Sequence, residues 1–232
     1  MPLKAIFFDA GNTLIFIDPR VVVPVFREHG ADTSRDRFWE AEFQARNRLA
    51  RRVEAGARGT EAELWEGYFR DLFLGAGVPE AELEAVGAEL KEIHRQRHLW
   101  TFIHPSTGPA LDELAEADYR LAVISNADGR VEELIRSGGI HHRFEFVMDS
   151  HGEGVEKPDT ELFLRAARKM EVSPEESLYV GDLYPVDVVG AREAGMDAVL
   201  LDPLGRLDYP VDRIRNVAAL PRYLRERSNG KD

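Results

Sequence analysis

The feature that most constrains the fold is an alternation of short apolar runs with helical patterns. The first run, Lys4–Asp9 (KAIFFD), is typical of a buried strand, and three later runs resemble it: Arg120–Ser125, Ser177–Val180 and Asp197–Leu201. Phe144–Met148 is a weaker fifth strand. The helical patterns between the runs are Pro109–Glu116, Gly129–Ser137, Thr160–Met170 and Val186–Ala194. Strands that alternate with helices predict a parallel α/β sheet.

The interval 18–103 has a different pattern, without a convincing strand. Apolar residues recur at helical spacing in Phe38–Val53, Leu64–Leu72 and Leu83–Ile93. Thr60, followed by an acid three residues later, resembles a capping box at the start of the middle helix. We therefore predict an all-helical insert of about four helices at 18–103. It interrupts an α/β core made of residues 1–17 and 104–232.

Composition excludes several classes of function. The chain has 232 residues and no cysteine, so disulfides, thiolate metal ligands and a cysteine nucleophile are all excluded. Its net charge of −12 disfavours nucleic acid and anionic membranes as partners. No run approaches the roughly 18 apolar residues of a membrane span, and the N-terminus does not resemble a signal peptide. We expect a cytoplasmic protein, either a monomer or a homodimer.

Polar residues are concentrated where the predicted strands end. Ligands of open parallel sheets bind at the carboxyl ends of the strands, so these positions are candidates for a site. A single aspartate there more often caps a turn, but a series of polar residues in this order is harder to explain as capping. The candidates are Asp9, Gly11, Asn12 and Thr13 after the first strand, Ser125 and Asn126 after the second, Lys157 before a helix, and Asp182 and Asp187 after the third.

The segments DAGNTL, ISN, KPD and GDLYPVD resemble, in this order, the four motifs of the haloacid dehalogenase-like superfamily. The resemblance covers residues 1–17 and 104–203 and implies a Rossmann-like core. The helical insert is found where this superfamily carries its C1-type cap. The resemblance also implies a hydrolase that acts on a small phosphorylated substrate with Mg²⁺ as cofactor.

The resemblance implies a role for each acidic position. Asp9 resembles the nucleophile that attacks phosphorus and forms an aspartyl-phosphate. Asp182 and Asp187 resemble the pair that holds Mg²⁺, with Asp9 and the backbone carbonyl of Gly11 as further ligands. The cation would shield Asp9 from the phosphate dianion.

The remaining motif residues would bind the phosphate. Ser125 resembles the hydroxyl that hydrogen-bonds a phosphoryl oxygen, with help from the Asn126 backbone N–H. Lys157 resembles the ammonium that bridges Asp9 and the phosphate in the transition state. Thr13 would orient the loop that follows the nucleophile.

One position departs from the pattern of the superfamily's phosphatases. They carry a second aspartate two residues after the nucleophile, as general acid and base, and this chain has Gly11 there. Such catalysis is typically worth ~10²–10⁴-fold. One interpretation is a phosphatase that is limited to substrates with good leaving groups, or one whose general acid and base comes from the cap. The alternatives are a dehalogenase, a phosphonoacetaldehyde hydrolase with Lys91 as its cap lysine, and a ligand-binding or regulatory protein with weak or no catalysis.

Arginines are crowded in the middle of the insert, where C1 caps often carry specificity residues. We single out Arg52 as a candidate contact for an anionic group of the substrate. The alternative interpretation is a solvated helix face whose charge neighbouring glutamates offset. The arginines are Arg46, Arg48, Arg51, Arg52 and Arg58.

Overall fold

The computed structural model describes residues 2–57 and 62–229. The chain forms two compact units. The core unit contains the residues up to Ile15 and those from Ile103 onward, and the insert is Phe16–Phe102. The assignment of residues 18–103 as a cap stays a prediction. The predicted capping residue Thr60 and the arginine Arg58 lie outside the described residues.

The described residues contain short strands and helices of four to twenty residues. The strands are β1 (Ala5–Phe8), β2 (Phe16–Ile17), β3 (Trp100–Phe102), β4 (Arg120–Ser125), β5 (Val147–Asp149), β6 (Ser177–Gly181), β7 (Asp197–Leu201) and β8 (Asp212–Ile214). The helices are α1 (Pro19–Glu28), α2 (Arg35–Glu54), α3 (Ala62–Gly75), α4 (Leu83–Arg97), α5 (Thr107–Glu116), α6 (Val131–Ser137), α7 (Ser150–Glu153), α8 (Thr160–Lys169), α9 (Val189–Glu193) and α10 (Leu220–Asn229).

The core unit is built on a parallel sheet, which confirms the predicted α/β fold. Within the described residues its six strands run in the order β5–β4–β1–β6–β7–β8. β1 lies between β4 and β6, with Ala5 opposite both Arg120 and Ser177. All four residues of β1 are buried. A strand that is covered on both faces has a continuous apolar sequence, which is why this run was visible in the sequence.

The sheet departs from the prediction at its two edges. β8 was not predicted, because two of its three residues are exposed and it contains no apolar run. At the opposite edge, the predicted strand Phe144–Met148 is found as Val147–Asp149. Edge strands bury less side-chain surface, so their sequence pattern is weaker.

Helix α8 follows the Lys157-Pro158 segment and anchors it to the sheet. Asp159 caps the helix by accepting a hydrogen bond from Glu161 N at 2.9 Å. Leu162 and Phe163 are fully buried in the same cluster as Phe7 of β1. Burying a side chain such as Phe163 contributes about 1.5–3 kcal/mol. The segment that carries Lys157 is therefore fixed by a well-packed helix.

In its described residues the insert contains four α-helices, α1 to α4, as predicted in number, and the named helical patterns correspond to α2, α3 and α4. Ser34 begins α2 by accepting a hydrogen bond from Arg37 N at 3.1 Å. The helices pack through aromatic side chains such as Phe26 and Phe73, whose ring centroids are 5.4 Å apart. The prediction of a wholly helical insert was wrong in one respect, because β2 and β3 form an antiparallel ribbon. Strands of two and three residues are too short to produce an alternating pattern.

Charged side chains are also buried inside the insert. Glu42 and Arg46 form an ion pair of 3.2 Å on α2, and the Tyr68 hydroxyl donates to Glu42 at 3.2 Å. Among the described residues, no helix has the length and the apolarity that crossing a bilayer demands.

Candidate active site

The site begins where the three central strands end. β4, β1 and β6 are neighbours in the sheet, so the residues at their carboxyl ends lie together. Asp9 follows β1, Ser125 ends β4 and Asp182 follows β6. The Ser125 hydroxyl donates to Asp9 Oδ1 at 3.3 Å, and Asp9 N donates to Val180 O at 2.9 Å. The structure therefore brings together three of the residues that the sequence singled out.

Lys157 is the centre of the cluster. Its side chain is only 2% exposed, and its Nζ lies 2.7 Å from each of three acceptors. These are Asp9 Oδ1, Asp187 Oδ1 and the Tyr179 hydroxyl oxygen. An ammonium group has three N–H donors, so every donor has an acceptor.

Burial and charge act in opposite directions on these groups. Burial disfavours the charged form of Lys157, but the carboxylates of Asp187 and Asp9 raise its pKa above the ordinary value. Burial raises the pKa of Asp9 to about 6, although the Lys157 charge lowers it, and the Asp187 charge adds to the rise. The cluster thus holds more negative charge than its one ammonium can balance.

The carboxylates form a donor set that fits a divalent cation. Asp9, Asp182 and Asp187 are all buried, and each offers one carboxylate oxygen within 4.8 Å of the others. Oxygen donors of this kind suit Mg²⁺. Three carboxylates and one ammonium leave two negative charges, which a divalent ion would offset. The backbone carbonyl of Gly11, predicted as a further ligand, stays a prediction.

Asp187 is held by the backbone as well as by Lys157. It lies in a π-helical turn, Tyr184–Val188, a rare conformation that is frequent at functional sites. Its Oδ2 accepts hydrogen bonds from Asp182 N at 3.0 Å and Leu183 N at 2.9 Å. The carboxylate packs directly against Gly181, where an added Cβ would lie 2.4 Å from Asp187 Cγ. Gly181 is therefore required for Asp187 to approach the strand end.

The loop after Asp9 turns tightly and contains two buried polar atoms that have no hydrogen-bond partner among the described residues. Ala10 O accepts from both Leu14 N and Ile15 N at 2.9 Å, and Asn12 has a left-handed φ of 55°. Asn12 Oδ1 and Thr13 Oγ1 are buried without a hydrogen-bond partner in the described part of the chain. Buried polar groups are normally bonded, so these atoms fit a loop that a bound group completes. The role of Thr13 in orienting this loop stays a prediction.

Asn126 has a contact that the sequence did not predict. Its amide Nδ2 donates to Lys157 O at 2.8 Å, and its Oδ1 accepts from Lys157 N at 2.8 Å. The peptide bond that follows, Lys157-Pro158, is cis. The Asn126 side chain therefore holds the main chain of the residue that carries the ammonium. The role of its backbone N–H towards a substrate stays a prediction.

Tyr179 belongs to the site and was missed. It is fully buried in β6, and burial raises the pKa of its hydroxyl well above the ordinary value, so the group is neutral. The hydroxyl donates to Ile124 O at 2.8 Å and accepts from Lys157 Nζ. A tyrosine in a buried strand needs a polar partner, and this was the available signal in the sequence.

Arg52 lies in the insert and is bonded there. Its Nη2 is 2.6 Å from Asp71 Oδ2, which makes it part of the packing between α2 and α3. Its assignment as a substrate contact stays a prediction. Lys91, the lysine that a phosphonoacetaldehyde hydrolase would require, is exposed on α4.

The fold and the cluster define an α/β protein with a carboxylate-based site at the ends of parallel strands. A family profile described as haloacid dehalogenase-like hydrolase matches residues 3–195. The chain belongs to this family and is an enzyme of the hydrolase class.

Named relatives agree with this assignment. The chain is 27% identical over 214 residues to haloacid dehalogenase-like hydrolase domain-containing protein 3 of Xenopus laevis, covering 88% of this chain and 86% of that protein. It is 34% identical over 167 residues to glyceraldehyde 3-phosphate phosphatase of Methanopyrus kandleri, and the match covers 66% of this chain and 71% of that protein. The crystal structure of the putative HAD-hydrolase YfnB of Bacillus subtilis has the same fold, with a TM-score of 0.69 and 19% identity over 97% of this chain and 99% of that one.

Proposed function

We propose that the protein is a Mg²⁺-dependent phosphatase that transfers the phosphoryl group of a small phosphorylated metabolite to Asp9. The observation that carries the proposal is the bonding of Asp9. Its carboxylate lies between the Lys157 ammonium at 2.7 Å and the Ser125 hydroxyl at 3.3 Å, beside two further buried carboxylates. A carboxylate held in this way is oriented for attack on phosphorus.

The first step forms a bond between an Asp9 oxygen and phosphorus and breaks the bond from phosphorus to the leaving oxygen. The electron pair of the broken bond remains on the leaving oxygen. Negative charge on the transferring group is stabilised by donors that are already in place, the Lys157 ammonium and the Ser125 hydroxyl. Both groups are positioned beside Asp9 before the substrate binds.

Asp9, Asp182 and Asp187 are the residues that would hold Mg²⁺. The ion would supply charge neutralisation, which lowers the pKa of the Asp9 carboxyl and allows a dianionic phosphate to approach it. The two carboxylates opposite Asp9 also distinguish this site from that of a dehalogenase, which lacks the full acidic pair. The dehalogenase alternative does not account for this acidic pair.

The second step, hydrolysis of the aspartyl-phosphate, has no general base at position 11. Water adds to phosphorus, Asp9 is released and a proton leaves the water. Gly11 has no side chain to take that proton or to protonate the leaving oxygen in the first step. We expect the enzyme to prefer substrates with stable leaving groups, such as acyl phosphates, aryl phosphates and phosphoanhydrides.

The relatives support a small substrate without identifying it. One similar protein is named for the phosphatase reaction on glyceraldehyde 3-phosphate. Gly11 favours a second candidate function, in which the fold binds a phosphorylated ligand and turns it over weakly or not at all. The bonded and buried state of Asp9 and Lys157 favours catalysis.

Hydrolysis of p-nitrophenyl phosphate tests the mechanism. We expect slow turnover that requires Mg²⁺, stops on addition of a chelator and is abolished in Asp9→Asn. Turnover that persists without a divalent ion would refute the proposed mechanism. Release of halide from 2-haloacids without added metal would support the dehalogenase instead.

A panel of phosphate compounds, assayed with wild type and Gly11→Asp in parallel, separates the two candidate functions. A large gain in the mutant would show that proton transfer limits the native enzyme. Good native activity without a gain would indicate an acid supplied by the insert or by the substrate. If neither protein shows turnover but the wild type binds one compound tightly, the ligand-binding function is the correct one.

A further inference from the structure

We propose that Tyr179 is a positioning residue, whose hydroxyl is the neutral third acceptor that fixes the direction of the Lys157 ammonium. The inference rests on the proposed function, because it concerns how Lys157 is presented to a transferring phosphoryl group. Tyr179 lies outside the four motif segments by which the sequence resembles its family.

The hydroxyl of Tyr179 has a fixed orientation. It donates its single proton to Ile124 O at 2.8 Å, which leaves its oxygen lone pairs for the Lys157 Nζ at 2.7 Å. Ile124 lies on β4 and Tyr179 on β6, so the hydroxyl spans the two strands that flank β1. The direction of the hydrogen bond to Lys157 is thus set by the sheet itself.

The ring of Tyr179 is fixed as well. It is fully buried, and the Phe163 ring packs edge-on against it with centroids 5.0 Å apart and an interplanar angle of 75°. Phe163 belongs to α8, the helix that follows the Lys157 segment. The tyrosine is therefore held between the sheet and this helix, which leaves its hydroxyl little freedom.

A neutral acceptor has a chemical advantage at this position. The other two acceptors, Asp9 and Asp187, are carboxylates, and a third carboxylate would leave less of the ammonium charge for the phosphoryl oxygens. When Asp9 becomes bonded to phosphorus, its carboxylate loses its negative charge. The Lys157 N–H that donated to Asp9 can then donate to a phosphoryl oxygen instead. The hydrogen bonds to Tyr179 and Asp187 would keep the ammonium in place during that change.

The variant Tyr179→Phe removes only the hydroxyl. Because the variant loses a hydrogen bond to a charged group, we expect kcat to fall by about 10- to 100-fold with KM changed less than about threefold. Tyr179→Leu should lose about the same in kcat while unfolding at a clearly lower temperature, because it also removes the packing with Phe163. If packing alone matters, Tyr179→Phe will keep the kcat of the wild type, and the inference is wrong. The control is Tyr223→Phe, which removes another bonded hydroxyl, on α10, and should leave kcat unchanged.

A spectroscopic measurement tests the same point without turnover. The ¹⁵N-labelled ammonium of Lys157, assigned by its absence in Lys157→Met, should give an NMR signal whose protons exchange slowly in the wild type and in Tyr223→Phe. In Tyr179→Phe the exchange should be faster by about tenfold or more, because one N–H has lost its acceptor. Unchanged exchange would overturn the inference. If the wild type shows no Mg²⁺-dependent turnover, only the proposed function is refuted, because the NMR result does not depend on turnover.

Discussion

Replacement of Gly181 by alanine is the most direct test of the geometry around Asp187. An alanine Cβ at position 181 would lie 2.4 Å from Asp187 Cγ and 2.5 Å from its Oδ2. Both distances are far below van der Waals contact. The opposing atoms belong to a short, bonded side chain, so either the carboxylate or the strand end must move.

The cost can be worked out from the contacts that would be disturbed. Overpacking a closed site costs about 1–3 kcal/mol. The displaced Oδ2 of Asp187 accepts hydrogen bonds from Asp182 N and Leu183 N, and a buried amide that loses its partner costs about 1–3 kcal/mol. Partial relaxation makes these costs less than additive. We expect Gly181→Ala to lower the free energy of unfolding by about 3 kcal/mol, or Tm by roughly 6–12 °C for a chain of this size.

Urea and thermal unfolding of the purified variant measure this change. The matched control is Gly152→Ala in α7, where an added Cβ has no heavy atom within 4 Å. That variant should unfold within about 1 kcal/mol of the wild type, since alanine is favoured over glycine in a helix. Equal stability of the two variants would refute the inferred contact between Gly181 and Asp187. A Gly181→Ala protein that remains folded should also lose Mg²⁺-dependent turnover, because Asp187 contacts Lys157.

Two further predictions concern residues outside the carboxylate cluster. His29 in the insert bonds Glu82 at 2.8 Å and Glu89 at 3.0 Å, and these two hydrogen bonds raise its pKa above 6.5. Its contribution to stability is therefore complete below pH 6.5 and is lost as the pH rises through the raised pKa, so the Tm advantage of wild type over His29→Gln should shrink as the pH rises above 6.5. An advantage that grows with pH would contradict this. Asn126→Ala removes both hydrogen bonds to the Lys157 main chain. The expected loss of about 1.5 kcal/mol of transition-state stabilisation corresponds to a fall in kcat of about tenfold. If the variant keeps the kcat of the wild type, these two hydrogen bonds are not needed for catalysis.

The sequence predicted the parts of the site that lie at strand ends. β1, β4 and β6 each contain a buried apolar run, so their ends were visible in the sequence. Asp9, Ser125 and Asp182 were identified from those ends. A parallel sheet then brings such residues to one edge without further information.

The contacts that cross between segments were not predictable from the pattern. In the sequence, Tyr179 cannot be distinguished from the apolar residues of a buried strand. Only the fold shows that its hydroxyl accepts a hydrogen bond from Lys157. The bidentate contact of Asn126 with the Lys157 main chain joins residues 31 positions apart, and no local pattern encodes it.

The weakest elements were missed for a different reason. The ribbon of β2 and β3 has strands of two and three residues, and β8 is mostly exposed. Such short elements gain their stability from neighbours that are distant in sequence, so a local pattern does not reveal them. The π-helical turn at Asp187 is likewise specified by the hydrogen bonds of one carboxylate and not by a periodic pattern.

Gly11 leads to a last prediction about the leaving group. The groups proposed for attack, Asp9, Ser125 and Lys157, are assembled in the structure, whereas position 11 offers no side chain for proton transfer. Without a general acid the leaving oxygen departs with its negative charge, so kcat/KM for a series of aryl phosphates should fall steeply as the pKa of the released phenol rises. General acid catalysis is worth ~10²–10⁴-fold, and its benefit is greatest for poor leaving groups, so Gly11→Asp should flatten this dependence chiefly by accelerating the slowest substrates. A dependence that is already flat in the wild type would show that another group donates the proton, and the preference proposed for good leaving groups would then be wrong.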